Sequence, residues 1–282
     1  MGFEPWPSIV PAYLGFQETG KLARTAIIGD VHGMREALAG LLDRLQLAPG
    51  DQLISVGDLV DKGPDPAGVV DDLAALKAKA PFSVILVEGN HEERHRRYRL
   101  NLSLRPAIAG QQAIDAPELP ELTGALSPQG RAFLDSAVLF HRLPEFGVLV
   151  VHGGIPGDMR TFPPSVEAAQ SLKGKARDRF LKIIRTRYID QNSGMFIGLG
   201  KENPGDPFWA EVYDGRFGHV VFGHHPFSDG PAEFPHATGI DTGAVHGGGL
   251  TALVLEAGAP RQFVTVPTPV YRERSKDGFR AV

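Results

Sequence analysis

Six side chains able to hold a metal ion each stand just beyond a short apolar run. Asp30 and His32 lie in GDVHG at 29–33, Asp58 in GDLVDKG at 57–63, Asn90 in GNHEE at 89–93, His152 in HGG at 152–154 and His224 in GHH at 223–225. Carboxylate, amide and imidazole ligands suit Mn²⁺, Fe or Zn²⁺ rather than an all-oxygen magnesium or calcium cage. Asp58 stands in the middle of the set and could bridge two ions, with Asp30, His32 and Asp58 on one, and Asp58, Asn90, His152 and His224 on the other. A hydroxide acidified by both ions is a strong nucleophile at neutral pH. Two cations also neutralise the charge that develops in an in-line displacement at phosphorus, so phosphate esters are the natural target.

Composition sets the same limit from another side. The chain of 282 residues has no cysteine and ten histidines, which excludes thiolate metal sites, disulfides and a cysteine nucleophile. Any metal must take imidazole and oxygen. The formal charge of −4 is spread without a long basic tract, so neither dedicated nucleic-acid binding nor membrane association is expected. No apolar run approaches the roughly 20 residues of a membrane span, and the first twenty residues lack the basic and apolar regions of a signal peptide. A cytoplasmic location is the expectation.

The residues that carry the chemistry need elements to position them. Runs rich in Val, Ile and Leu at 25–28, 53–56, 83–87, 148–151 and 220–222 read as buried strands, each handing a Gly-containing turn to the site. In open α/β sheets, ligands bind at that carboxyl edge. Leu38, Leu41, Leu42 and Leu45 form one face of a helix from about 34 to 47, and this stripe is read as core. Val69, Val70, Leu73 and Leu76 mark a second helix that starts near Asp65-Pro66, and Ser127-Pro128 opens a third, through about Leu139. A helical stretch over 164–187 is expected to break at Gly174, and strands are expected at 250–256 and 262–266. Segments 100–126 and 188–212 lack a clean period and are expected to be irregular insertions.

GDVHG, GDLVDKG, GNHEE, HGG and GHH, in this order, resemble the five motifs of the calcineurin-like metallophosphoesterases. More narrowly they resemble the phosphoprotein-phosphatase branch, with its bacterial and phage Ser/Thr phosphatases and symmetrical diadenosine tetraphosphate hydrolases. IDTG at 240–243 resembles the end of those bacterial enzymes, and the match spans about 25–266. The resemblance implies an α/β fold with a two-sheet core flanked by helices and a binuclear centre, with manganese favoured and iron or zinc as alternatives. It matches Asp30, His32, Asp58, Asn90, His152 and His224 to the metal ligands, His91 to the general acid, and Asp61 to the carboxylate that orients it. An alkoxide leaving group needs a proton near neutral pH, and imidazole supplies one.

Arg94 could clamp phosphate oxygens with its planar fork. Arg187 matches a second phosphate-binding arginine only loosely. Lys62 departs from the family pattern, which has arginine there; lysine keeps the charge but cannot give two parallel hydrogen bonds. His225 is expected to point away from the site, and His95, His141, His219, His236 and His246 to lie on the surface or cap turns. The leading expectation is a Ser/Thr phosphoprotein phosphatase acting on a phosphorylated partner. The alternative is a dinucleoside polyphosphate hydrolase, and the remote one an inactive scaffold. The catalytic domain is expected over 23–267, between an N-terminal extension at 1–22 and a tail at 268–282.

Overall fold

The computed structural model describes residues 23–275 and 278–281, with side chains through Tyr271; the expected extension at 1–22 lies outside the described residues. The first half alternates strand and helix: β1 (Arg24–Ile28), α1 (Arg35–Leu45), β2 (Gln52–Ser55), α2 (Pro66–Lys79), β3 (Ser83–Leu86) and α3 (Asn90–Leu104). Helices α4 (Pro106–Asp115), α5 (Glu118–Ala125) and α6 (Pro128–Asp135) follow. The second half has β4 (His141–Leu143), β5 (Val148–Val150), α7 (Val166–Gln170), α8 (Gly174–Phe180), α9 (Trp209–Val212), β6 (His219–Phe222), β7 (Ala232–Phe234) and β8 (Ala237–Gly239). The chain then runs through β9 (Gly249–Glu256) and β10 (Gln262–Pro267) into a hairpin of β11 (Arg272–Ser275) and β12 (Gly278–Ala281).

Two five-stranded mixed sheets result, in the orders β10-β9-β1-β2-β3 and β4-β5-β6-β8-β7. Strands β1, β2 and β3 run parallel, as do β5, β6 and β8, so the turns after each triplet open at one edge of its sheet. The two-residue period of a strand explains how the sheets face each other. In β1, Ala26 and Ile28 join the aliphatic cluster under α1 and α2, whereas Ile27 joins a cluster between the sheets. In β6, Val221 joins that middle cluster, and Val220 and Phe222 face an aromatic core.

Two of the three expected helices, α2 and α6, start where their caps put them. The Asp65 carboxylate accepts the Gly68 N–H, and Ser127 Oγ accepts that of Gly130, each ahead of a proline in the first turn. The third helix stops at Asp135, short of Leu139. The stretch 164–187 does break at Gly174, which has φ of +53°, and continues as α8 and a 3₁₀ turn over Leu181–Ile184.

Segment 100–126 is the correction. It is helical, formed by the end of α3 with α4 and α5. These helices share a small cluster of Tyr98, Ala109, Ala116 and Leu119 and send Leu122 to the main core, while Leu104, Ile108 and Ile114 stay exposed, and that scatter hides the period. Segment 188–212 is largely irregular as expected, closed by the bridges Tyr188 to Phe208 and Ile189 to Phe196.

Candidate metal centre

The turns after β1, β2, β3, β5 and β6 converge where the two sheets meet. They are tied by backbone bonds: Val31 and His32 N–H donate to the Asp58 carbonyl, and Gly223 N–H to that of His152. Six described non-glycine residues have positive φ, and five of them are His32, Asp58, Asp61, Lys62 and His224. Left-handed backbone at five such positions costs free energy that only the surrounding contacts hold in place, and such strain gathers at functional sites. The glycines make room. A Cβ on Gly223 would collide with the Asp30 carboxylate, and one on Gly89 with that of Asp58.

Asp58 is the common neighbour. Its Oδ2 lies 3.7 Å from His32 Nε2, 3.8 Å from His91 Nε2 and 3.3 Å from His152 Nε2. Donor atoms of His32, Asp58 and His91 lie within 4.8 Å of one another, as do those of Asp58, His152 and His224. Asn90, the first residue of α3, places its Oδ1 3.1 Å from His152 Nε2. Asp30 accepts the His224 N–H at 3.1 and 3.0 Å on its two oxygens. The first of the two donor groups thus contains His91, the residue matched to the acid, and omits Asp30.

The ring tautomers decide what these groups can bind. His32 Nδ1 donates to the Val60 carbonyl at 2.8 Å and His152 Nδ1 to the Val56 carbonyl at 2.9 Å. Their Nε2 lone pairs are therefore left facing the Asp58 carboxylate. Lone pairs of His152, Asp58 and Asn90 pointing at one another with no proton between them repel, and a cation relieves that. The donor set fits imidazole- and oxygen-binding metals.

Buried charge points the same way. Burial pushes the His32 imidazole down to about 3, despite the Asp58 charge. Burial likewise depresses His224, helped by His152 and Arg187. Asp30 is pushed well above the usual carboxylate range by burial and by the neighbouring charges of Asp241 and Asp58. Burial would raise Asp58 too; protons on the surrounding imidazoles, His152 first, would hold it well below that range, and with those rings neutral a cation takes over that work.

Beside this cluster, His91 Nδ1 donates to Asp61 Oδ2 at 2.6 Å. Burial works against a charged His91, yet the Asp58 charge and the Asp61 hydrogen bond raise it above the ordinary imidazole value. Lys62 Nζ donates to His32 Nε2 at 2.9 Å. One Arg187 terminal N–H donates to the His224 carbonyl at 2.6 Å, while its Nε is buried without a partner. Arg94 is drawn off: its guanidinium pairs with Glu118 at 2.7 Å and lies 4.0 Å from Asp61. His225 turns away as expected, its ring 5.0 Å from those of Phe208 and Phe227.

The sequence reading gave no site role to three residues that stand there. His95 is fully buried rather than on the surface, and its Nε2 donates to Asp61 Oδ1 at 2.6 Å. Its one signal is a place four residues after His91, on the same helix face. The Glu92 carboxylate accepts the N–H groups of Asp58, Leu59 and Gly89 at 2.7, 2.8 and 3.0 Å, pinning the β2 turn to the start of α3. Asp241 is buried close enough to Asp30 to raise it, and its own side chain accepts the Gly243 N–H.

A two-sheet α/β core with flanking helices and a shared His/Asp donor set defines a metal-dependent phosphoester hydrolase. The chain belongs to the calcineurin-like phosphoesterase family, matching it over residues 23–241. It is 29% identical over 273 residues to the asymmetrical bis(5'-nucleosyl)-tetraphosphatase PrpE of Halalkalibacterium halodurans, covering 89% of this chain and 97% of that protein. It is 28% identical to the symmetrical bis(5'-nucleosyl)-tetraphosphatase of Cellvibrio japonicus, covering 83% and 96%. A crystal structure described as that of a candidate diadenosine tetraphosphatase superposes with a TM-score of 0.63 at 27% identity, over 88% of this chain and 94% of the other.

Proposed function

We propose that this chain hydrolyses dinucleoside polyphosphates such as diadenosine tetraphosphate, in a centre where Asp30, His32, Asp58, Asn90, His152 and His224 hold two metal ions. The observation that carries the reading is Asp58, whose Oδ2 is within 3.8 Å of three imidazole Nε2 atoms. Two ions bound there, manganese first and iron or zinc as alternatives, supply Lewis acidity and an acidified water at neutral pH. The two tetraphosphatase relatives match over nearly their whole length, which favours this substrate over the phosphoprotein expected first. Lys62 favours it as well, since a lysine lacks the fork with which arginine grips a terminal phosphate monoester.

The protein groups divide the remaining work. His91 presents Nε2 to the leaving oxygen and delivers a proton there. Asp61 takes the Nδ1–H and so fixes which ring nitrogen faces the substrate. Arg187, with its unpartnered buried Nε, and Lys62 hold phosphate oxygens. Arg94 joins them by leaving Glu118, to which it is paired in this structure. We assign all of this to one domain over 23–267, between an extension at 1–22 and a tail at 268–282. Among the described residues no helix is long and apolar enough to cross a membrane. A nucleotide substrate and a cysteine-free chain are both compatible with the cytoplasm.

The test offers the Mn²⁺-loaded protein diadenosine tetraphosphate and a phosphothreonine peptide in parallel. The reading expects nucleotide release without peptide turnover, and ADP alone or ATP with AMP tells symmetrical from asymmetrical cleavage. Peptide turnover without nucleotide release overturns it.

A further inference from the structure

We infer that His95 is a positioning residue for the proton-delivering His91, acting through Asp61. The inference rests on the reading of His91 as the acid. His91 and His95 are one helical turn apart on α3, so both rings leave the same face. Asp61 meets them from the β2 turn, held at φ of +67°. Each of its oxygens is taken by one ring at 2.6 Å, Oδ2 by His91 Nδ1 and Oδ1 by His95 Nε2.

The second clamp has a mechanical purpose. An Asp carboxylate turns about a broad, weakly restrained torsion, so one hydrogen bond leaves its plane free to swing. Two donors on opposite oxygens fix that plane, and with it the direction in which Oδ2 holds the His91 ring.

His95 is a poor choice if the position only needs filling. It is fully buried, and its Nδ1 has no hydrogen-bond partner. Leaving a polar atom buried and unpaired costs stability that Leu or Phe at the same place would not cost. The polar commitment the ring does make is to Asp61. Arg94, on the same turns of α3, is 4.0 Å from Asp61 and engaged with Glu118, so it does not replace this clamp.

The test compares His95→Phe and His95→Gln with the unaltered protein on phenyl phosphate and p-nitrophenyl phosphate. The Phe variant keeps a planar ring and removes the donor, and the Gln variant retains an N–H that can reach Asp61. His95→Phe should lower kcat on phenyl phosphate by roughly ten- to a hundredfold, on the scale of lost second-layer support. It should lower kcat on p-nitrophenyl phosphate by less, leave KM and bound metal unchanged, and be rescued by Gln. Equal losses on both esters, or loss of metal, overturn the inference. If His91→Asn itself shows no preference between the esters, the acid reading has failed instead.

A proton spectrum of the zinc-loaded full chain supplies a readout without turnover. The low-field resonance that disappears in His91→Asn should move in His95→Phe and return towards its position in His95→Gln. A resonance indifferent to His95→Phe overturns the inference.

Discussion

The two sheets meet at one site but are built and stocked differently. The sheet around β1, β2 and β3 packs aliphatic side chains, among them Leu38, Leu41, Leu53 and Leu73, under α1 and α2. It delivers Asp30, His32, Asp58 and Asn90. The sheet around β5 and β6 packs Phe140, Phe180, Phe208, Trp209, Tyr213 and Phe222 beneath short, broken helices and delivers the imidazoles of His152 and His224, with Asp241 just after β8. Among the six donors matched to metal, anionic and amide oxygen therefore comes from one half and most of the imidazole nitrogen from the other. Neither half holds a complete centre, and the β2 turn with Asp58 is where they join.

The largest effect should come from the side that handles protons. His91→Asn is expected to lower kcat on phenyl phosphate by about 10²–10⁴-fold, and on p-nitrophenyl phosphate by much less. Steady-state kinetics on both esters checks this, and equal losses would place His91 with the metal donors, as its membership in the first donor group would allow.

The comparison of cores is sharpened by matched truncations. Trp209→Ala should cost about 3–5 kcal/mol and Leu41→Ala about 2–5 kcal/mol in denaturant unfolding. Both side chains are fully buried. Trp209 packs against Gly154, two residues from His152, so its loss should also lower activity under folding conditions, whereas loss of Leu41 should not. A Leu41→Ala variant with the larger activity defect would reverse the assignment.

Glu92→Gln tests the joint between the halves. It replaces one acceptor oxygen with an amide that cannot accept all three N–H groups, leaving at least one of them unsatisfied at a cost of about 1–3 kcal/mol. Thermal unfolding with and without Mn²⁺ should show the loss in both states, because the bonds are made by backbone and not by metal.

The smallest effect lies at the outer part of the second sheet. Burial, with Arg261 and His236 nearby, lowers the His219 imidazole to about 4. Between about 6.5 and 4 the unfolded chain therefore takes up the proton that the folded one refuses, and stability falls as pH falls through that window. His219→Gln should shallow this acid limb slightly in urea titrations at pH 7 and pH 4.5. An unchanged slope would show that the half-exposed ring is screened.

The same contrast decides what could be read in advance. Helices α1 and α2 follow unbroken leucine and valine periods, α2 with a cap and a proline at its start, and β1, β2 and β6 are apolar runs cut by glycine. Helices α4 and α5 were not legible, because Ala109 and Leu119 rest on Tyr98, Leu122 alone reaches the main core, and Ile108 and Ile114 face solvent. At the site, motif spacing named the side chains that the fold brings together. It could not show the carbonyls of Val60 and Val56 that set the ring tautomers, since every residue has a carbonyl. His95 among arginines, and Arg94 diverted to Glu118, depend on contacts made after folding.

Asp58 carries the central claim, since its carboxylate is common to both donor groups. Metal content of the Mn²⁺-loaded chain, measured by mass spectrometry beside Asp58→Asn, tests it most directly. The account predicts about two ions per unaltered chain, and loss of both, with activity, in a variant that remains folded. An Asp58→Asn chain that keeps both ions would contradict it.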